Sequence, residues 1–186
     1  MSGHNKFSKI KHKKASTDAK KSKIFSRYSK LITVESKKCN GDTNSASLAR
    51  AIELAKKENV PKDVIEKAVT KGTDASSVAM DTVVYEAFGP GGTALIVTAL
   101  TDNKNRTAAE VRHIFSKAGF ELGAPGSATW AFTKTDEGFV PTMPLELSED
   151  DMQKLVDLYE KLDEQDDTQN IYTTAVGLEE ILNSEE

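Results

Sequence analysis

The sequence predicts an α+β protein: an N-terminal three-helix domain that carries a basic arm, then a ferredoxin-like α/β sandwich with an extra N-terminal strand. Three observations predict this fold. Apolar residues between positions 15 and 72 recur at the three- and four-residue spacing of amphipathic helices. From residue 93 onward the patterns follow the order strand, helix, strand, strand, helix, strand. Because crossover connections are right-handed, this order predicts two helices packed on one face of an antiparallel sheet. Between 73 and 80 the composition changes from lysine-rich to rich in Asp and Glu.

These observations divide the chain into a flexible basic arm at 1–14, a three-helix bundle at 15–75 and a sandwich at 76–186. The arm has no helical period, so we expect it to be mobile or to become ordered on a partner. Residues 2–38 contain twelve Lys and Arg against two acids, a net charge of +10. Because the whole chain carries −4, residues 39–186 sum to −14.

The bundle contains three amphipathic helices. The first begins near Ala15 and ends at Gly41, which can adopt the left-handed conformation that closes helices. The second covers residues 45–58. The third starts after Pro61, which suits a first helical turn, and stops at Gly72. The predicted inner faces are Ile24, Tyr28, Leu31 and Ile32, then Leu48, Ala51, Ile52 and Ala55, then Val64, Ile65, Ala68 and Val69.

The sandwich begins with a predicted β-hairpin. Residues 82–88 are rich in β-branched and aromatic types, the run 93–100 is apolar, and Gly-Pro-Gly-Gly at 89–92 lies between them. A phosphate-binding P-loop needs Gly-Lys-Ser/Thr followed by a helix, whereas a strand follows here. We therefore interpret 89–92 as a turn that needs positive φ angles, with phosphate contact as the alternative.

The remaining elements complete the predicted sandwich. Short polar segments separate alternating or helical patterns throughout this region. They predict a helix at 107–118 capped by residues 102–103, strands at 127–132 and 139–147 joined by a tight turn at 135–138, a helix from Ser148, a strand at 169–175 and a short helix at 178–182.

An enzyme, a metalloprotein and a membrane protein are all disfavoured. No apolar run is long enough to span a bilayer, and no secretory signal is evident. The three histidines have no second ligand at a metal-compatible spacing, His113 reads as a surface residue, and Cys39 has no catalytic partner nearby. The acids at 149–151 and 163–167 read as solvated. We expect a monomeric, non-enzymatic protein without cofactor, metal or membrane partner, in the cytoplasm or, in a eukaryote, the mitochondrial matrix.

The basic N-terminal region is expected to bind nucleic acid, because dense cations beside an acidic body are drawn along a polyanion and release its counterions. A solvated lysine-rich terminus is the alternative. Phe7, Phe25 and Tyr28 lie among the cations and suit structured RNA, whereas no helix-turn-helix signature or base-reading face favours duplex DNA. The candidate contacts are His4, Lys6, Lys9, Lys11, His12, Lys13, Lys14, Lys20, Lys21, Lys23 and Arg27.

A second candidate contact lies where the helix after the apolar strand begins. Two amides and two cations are followed there by a hydroxyl, beside backbone N–H groups that a helix start leaves unsatisfied. The cluster would receive a phosphate or a base edge; an ordinary polar helix cap is the alternative. Its members are Asn103, Lys104, Asn105 and Arg106, followed by Thr107.

Several long segments together resemble the YebC/PmpR family, which includes the mitochondrial translational activators of cytochrome c oxidase. They occur in the family's order and extend over nearly the whole chain. Asn5 and Phe7 stand where the family usually has Ser and Trp. The segments are SGHNKFSKIKHKKA at 2–15, PKDVIEKA at 61–68, YEAFGPGG at 85–92, TDNKNRT at 101–107 and DDTQNIY at 166–172.

The resemblance implies a non-enzymatic regulator of gene expression. Family members usually carry a further α/β domain near 133–138, where this chain has only a short connection, so the chain resembles a short form. We expect a translation factor that contacts ribosomal RNA through its arm. The alternatives are a DNA-binding transcriptional regulator, which is the family's customary label, and a protein interaction module.

Overall fold

The computed structural model describes residues 4–75, 79–135 and 138–184, with the backbone alone at 4–17, 19, 183 and 184. The chain forms two compact units, one that ends at Ala79 and one that begins at Met80. The boundary predicted between residues 75 and 76 lies beside 76–78, outside the described residues.

The first unit consists of three helices, α1 His4–Lys38, α2 Ala46–Lys57 and α3 Lys62–Thr73. Their apolar faces meet in one core, as the helical period predicted. The fully or nearly buried members of this core are Ile32, Leu48, Ala51, Ala55, Val60, Ile65 and Ala68.

Helix α1 begins earlier than the sequence predicted. Residues 4–14 were expected to form an arm without regular structure, and the backbone there is helical. No Gly or Pro interrupts α1, and Lys and Ala are good helix formers, so a helix whose C-terminal half is packed propagates towards the N-terminus. The predicted end is confirmed: Asn40 and Gly41 follow α1 with φ angles of 52° and 79°.

Gly72 has a different role from the predicted helix stop. It lies inside α3, which continues to Thr73. A Cβ atom at Gly72 would lie 2.5 Å from the Cβ of Ser36 and 2.6 Å from the carbonyl oxygen of Thr33. The Ser36 hydroxyl also donates to the Val69 carbonyl oxygen at 2.7 Å. Gly72 therefore allows the backbones of α1 and α3 to pass closely.

The second unit contains five strands and three helices among its described residues. Strands β1, β2 and β5 form one antiparallel sheet in the order β1-β2-β5, and β3 pairs with β4 in a separate antiparallel hairpin. The elements are β1 Asp81–Phe88, β2 Ala94–Thr101, α4 Lys104–Lys117, β3 Phe132–Thr135, β4 Gly138–Pro141, α5 Glu149–Glu164, β5 Thr168–Thr173 and α6 Leu178–Ser184.

The α+β class is confirmed, but the sheet differs in detail from a ferredoxin-like one. In that topology the strand corresponding to β4 would pair with β2; here β1 pairs with that edge of β2 instead. The register joins eight residue pairs between β1 and β2 and only four between β3 and β4. The long local hairpin therefore takes the edge of the sheet, and the short one packs elsewhere.

The sheet has a core on each face. Helices α4 and α5 cover one face through a cluster that includes Leu95, Val97, Phe115 and Leu158. A smaller cluster on the other face joins Ala94 and Ile96 of β2 to Ala128, Ala131 and Phe132.

The segment that covers this second face was predicted only in part. The strand expected at 127–132 is mostly a 3₁₀ turn, Thr129–Ala131, with β3 starting at Phe132. The strand expected at 139–147 ends as β4 at Pro141, because prolines have no N–H for the ladder. Residues 136 and 137 of the predicted turn lie outside the described residues.

Candidate nucleic-acid interface

The C-terminal half of α1 separates apolar from cationic residues. Phe25, Tyr28 and Ile32 belong to the core of the first unit. Lys20 and Lys21 are exposed. Burial raises the pKa of Tyr28, and the negative charge of Glu58 raises it further while the positive charge of Arg27 lowers it. The phenol therefore stays neutral at physiological pH. The helix thus keeps an uncharged side towards the core and a basic side outside it.

The other cations of α1 continue this basic side. Lys23, Arg27 and Lys30 are partly exposed, with the Lys23 Nζ and Arg27 Nε atoms themselves buried, and Lys37 and Lys38 are exposed. Lys38 pairs with Glu35 at 2.7 Å. Seven predicted contacts lie on the first turns of α1, where the side chains fall outside the described residues: His4, Lys6, Lys9, Lys11, His12, Lys13 and Lys14.

The second predicted cluster has the geometry of a helix cap. The Asn103 side chain accepts from the backbone N–H of Arg106 at 3.1 Å, so it satisfies the start of α4. Lys104 pairs with Asp81 at 3.3 Å, and Asn105 is exposed. The polar-cap alternative accounts for Asn103, and the cluster does not present four unengaged groups to a phosphate.

Arg106 is held by two carboxylates rather than pointing freely outward. Its Nη2 donates to Asp102 and to Asp167, at 2.9 Å in each case. The hydrogen bond to Asp167, followed by that to Asp102, raises the pKa of the guanidinium above its usual value. Arg106 therefore has a structural role at the start of α4.

Sequence reasoning missed Asp167, which it grouped with solvated acids. The residue is buried and also accepts from the Thr107 hydroxyl at 2.8 Å, and that hydroxyl contacts the Thr101 hydroxyl at 2.7 Å. Asp167 thus ties the end of β2 and the start of α4 to the start of β5. Its position directly before a strand was the available signal.

Sequence reasoning also missed Glu86, a buried acid in the middle of β1. Its carboxylate accepts from the backbone N–H groups of Gly126 and Ala128, both at 2.7 Å, and of Thr129 at 2.9 Å, and from the Thr129 hydroxyl at 2.9 Å. Burial raises the pKa of Glu86, but these hydrogen bonds outweigh burial and lower it below its ordinary value. The carboxylate therefore fixes the 126–129 segment to the sheet.

That segment presents Trp130 on the surface. The side chain is 61% exposed, and its indole N–H donates to the Ser127 carbonyl oxygen at 2.7 Å. The sequence pattern treated Trp130 only as part of a strand. A single tryptophan next to a Gly- and Pro-containing segment was the available signal.

The Gly-rich turn acts as the predicted hairpin connection. Gly91 and Gly92 have φ angles of 63° and 80°, and β1 and β2 pair on either side. The N–H groups of Gly89, Gly92 and Thr93 donate within the turn, so they are engaged there rather than with a phosphate.

The described residues contain no group of three or more His, Cys, Asp and Glu that could hold a metal ion. His113 is exposed on α4, and the Cys39 thiol donates to the Glu35 carbonyl oxygen at 3.2 Å. Within the part of the chain that the structure describes, none of the helices is long and apolar enough to cross a membrane.

The chain matches two family models and a solved structure. Residues 5–75 match the TACO1/YebC protein N-terminal domain, and residues 80–137 match the TACO1/YebC second and third domain. The crystal structure of a conserved hypothetical protein from Aquifex aeolicus superposes with a TM-score of 0.75 at 27% identity, covering 85% of this chain and 91% of that one.

Bacterial relatives extend this similarity. A probable transcriptional regulatory protein of Desulfatibacillum aliphaticivorans is 45% identical over 179 residues, 90% of this chain and 72% of that protein. Another, of Thermoanaerobacter pseudethanolicus, is 52% identical over 136 residues, 72% of this chain and 55% of that protein. The chain therefore matches little more than half the length of the second relative. On these two family models and the relatives' identities, the chain belongs to the TACO1/YebC family.

Proposed function

We propose that this protein is a non-enzymatic regulator of gene expression that binds ribosomal RNA through α1 and acts in translation. The observation that carries the proposal is a row of cations along one long helix. A helix with 3.6 residues per turn carries positions 9, 13, 20, 23 and 27 on one side, since they are spaced by three, four or seven residues. All five positions are Lys or Arg.

The charge distribution makes this row the preferred contact with a polyanion. Residues 39–79 contain six basic and six acidic residues and are neutral, whereas residues 80–186 contain seven basic and twenty-one acidic residues, a net charge of −14. The acidic unit repels phosphates, so α1 approaches them first. At 1.5 Å per residue, positions 4–38 give a helix of about 50 Å, enough to contact many phosphates at once.

RNA is favoured over DNA on two grounds. The exposed cations of α1 are mainly lysines, which contact phosphates and do not form the grouped base-reading set of a major-groove helix. The family resemblance includes mitochondrial translational activators. We further propose that the protein binds as a monomer without cofactor, in the compartment that contains the ribosomes.

A DNA-binding transcriptional regulator is the second candidate. The names of the bacterial relatives favour it. Phosphate contacts from α1 alone would serve duplex DNA as well, without sequence readout. Crosslinking in cells, followed by sequencing of the attached nucleic acid, separates the candidates: ribosomal RNA supports the proposal, and promoter DNA without ribosomal RNA supports the second candidate.

Salt dependence tests the α1 contact directly. Replacing Lys20, Lys23 and Arg27 together with Gln removes three cations of the row. Each lost contact with single-stranded RNA lowers the slope of log K against log[salt] by about 0.7, so the triple variant loses at most about 2 in slope. Deleting residues 2–14 removes a large part of what remains.

The matched control replaces three lysines of α2 and α3, and its slope should equal that of the wild type. Circular dichroism is used to check that both triple variants retain their helices. Equal slopes for the α1 variant, the control and the wild type would contradict the proposal. The control positions are Lys56, Lys67 and Lys71, all exposed.

A further inference from the structure

We propose that Trp130 is a second RNA contact, on which one unpaired base stacks. This inference rests on the proposed RNA binding and deepens it, because it assigns a base contact in the second unit to a protein whose α1 contacts phosphates. Single-stranded bases stack on exposed aromatic rings in many RNA-binding proteins, and every base offers a flat face for this purpose.

The ring is exposed and held in place. Trp130 has 61% of its surface exposed, the largest exposed fraction among the large hydrophobic residues of the described part of the chain. The hydrogen bond of its indole N–H to the Ser127 carbonyl oxygen, 2.7 Å long, satisfies the one polar atom of the side chain and restricts the ring. A ring that is already ordered loses little conformational entropy when a base stacks on it.

The backbone beneath the ring is fixed as well. Ala128, which precedes the Thr129–Ala131 turn, and Ala131, the last residue of that turn, are buried against β2. The Glu86 carboxylate holds the N–H groups of the preceding segment, and the Glu86 carbonyl oxygen accepts from the N–H of Gly123 at 2.7 Å. An exposed tryptophan on such a rigid support is a preorganised platform.

The segment around Trp130 carries little of the negative charge of the second unit. Of the unit's net charge of −14, residues 146–186 carry −12 and residues 122–145 carry −1, with Lys134 against Asp136 and Glu137. Lys134 is exposed on β3. The phosphates of a strand whose base stacks on Trp130 thus meet one exposed cation and are repelled less than by the acidic residues 146–186.

A hydrophobic partner protein is the other class of ligand that an exposed tryptophan can bind. Val140 and Met143, 50% and 56% exposed, are also apolar. The exposed Lys134 and the low net charge of residues 122–145 suit a polyanion better than the acidic residues 146–186 do. The test below therefore includes a variant that removes apolar surface without an aromatic ring.

The fluorescence of Trp130 supplies the test, because the chain contains one tryptophan. The full-length protein is titrated with a single-stranded RNA oligonucleotide and, separately, with an abasic oligonucleotide of the same length and charge. Stacking predicts that the base-bearing strand quenches the emission and the abasic strand leaves it nearly unchanged. Equal quenching by both strands, or no quenching while RNA binds, would overturn the inference and leave the α1 contact standing.

Substitutions give a second, independent readout. Trp130→Ala should weaken binding of the base-bearing strand by roughly five- to a hundredfold, as expected for one lost base stack. It should leave the affinity for the abasic strand and the salt slope unchanged. Trp130→Phe should retain most of the affinity, and Met143→Ala should retain all of it.

Three outcomes contradict the platform. The first is a loss in Met143→Ala as large as in Trp130→Ala, which would indicate an apolar contact instead. The second is a loss of ribosome binding in Trp130→Ala with no change for any oligonucleotide, which would indicate a protein partner. The third is failure of the wild type to bind any RNA, which would also refute the proposed function and so differs from the other two.

Discussion

Glu86→Gln tests whether a buried carboxylate holds the Trp130 segment on the sheet. One carboxylate oxygen accepts from Gly126, and the other from two N–H groups and a hydroxyl. A glutamine has one oxygen, so its amide N–H₂ must face at least one donor that then has no acceptor. A buried donor without an acceptor costs about 1–3 kcal/mol. We therefore expect the free energy of unfolding of Glu86→Gln to be lower than that of the wild type by that amount.

Denaturant unfolding followed by Trp130 fluorescence measures this change, since the probe lies in the affected segment. In a domain of this size about 1 kcal/mol corresponds to roughly 4–8 °C in Tm. Glu121→Gln is the matched control, because Glu121 is exposed and its substitution should change the free energy of unfolding by less than about 0.5 kcal/mol. Equal stability of the two variants at neutral pH would refute the role of Glu86.

The stabilisation by the Glu86 carboxylate should also depend on pH. The pKa of Glu86 lies below its ordinary value of 4.5 in the folded protein, so the unfolded state binds a proton more readily. The stabilisation from the carboxylate is therefore complete above about pH 4.5 and is lost as the pH falls through the folded-state pKa. The difference in unfolding free energy between wild type and Glu86→Gln should shrink in acid, and a constant difference between pH 7 and pH 3 would contradict the reasoning.

Two further substitutions test the close helix crossing and the buried aspartate. Gly72→Ala should lower the free energy of unfolding of the first unit by about 1–3 kcal/mol, because the added Cβ would lie 2.6 Å from an α1 carbonyl oxygen. Helix propensity alone predicts stabilisation by Gly72→Ala instead. Unfolding followed by circular dichroism decides between the two, with Lys71→Ala as the control for a substitution on α3. Asp167→Asn should cost about 1–3 kcal/mol in unfolding free energy, against less than about 1 kcal/mol for the exposed Asp166→Asn; equal costs would mean that the Asp167 network contributes nothing beyond a surface acid.

The periodicity of apolar residues predicted most helices and strands, because the residues within each segment largely determine these elements. The stripes of α2, α3, α4 and α5 and the β1–β2 hairpin follow from spacing and turn chemistry within each segment. The N-terminal start of α1 could not be predicted from local spacing. Residues 4–14 have no apolar stripe, but a helix can propagate into such a segment from a packed one.

The missed residues depend on contacts between distant segments. Gly72 was interpreted as a helix stop, since only the passage of α1 explains a glycine inside α3. Glu86 was treated as a strand residue and Asp167 as a solvated acid, because their partners lie 40 and 61 positions away in sequence. The sheet order likewise depends on a competition between two hairpins for one edge, which no single segment reveals.

The two proposed RNA contacts should respond differently to salt, and this difference follows from their chemistry. The α1 row gains affinity from counterion release, which weakens steeply as salt rises. Stacking on Trp130 involves an uncharged ring and an uncharged base face, so its contribution to affinity changes little with salt. As ionic strength increases, the fraction of the binding free energy that Trp130→Ala removes should therefore rise, while the fraction removed by the α1 triple variant falls. A protein that bound RNA through phosphates alone would lose its affinity for base-bearing and abasic strands in parallel.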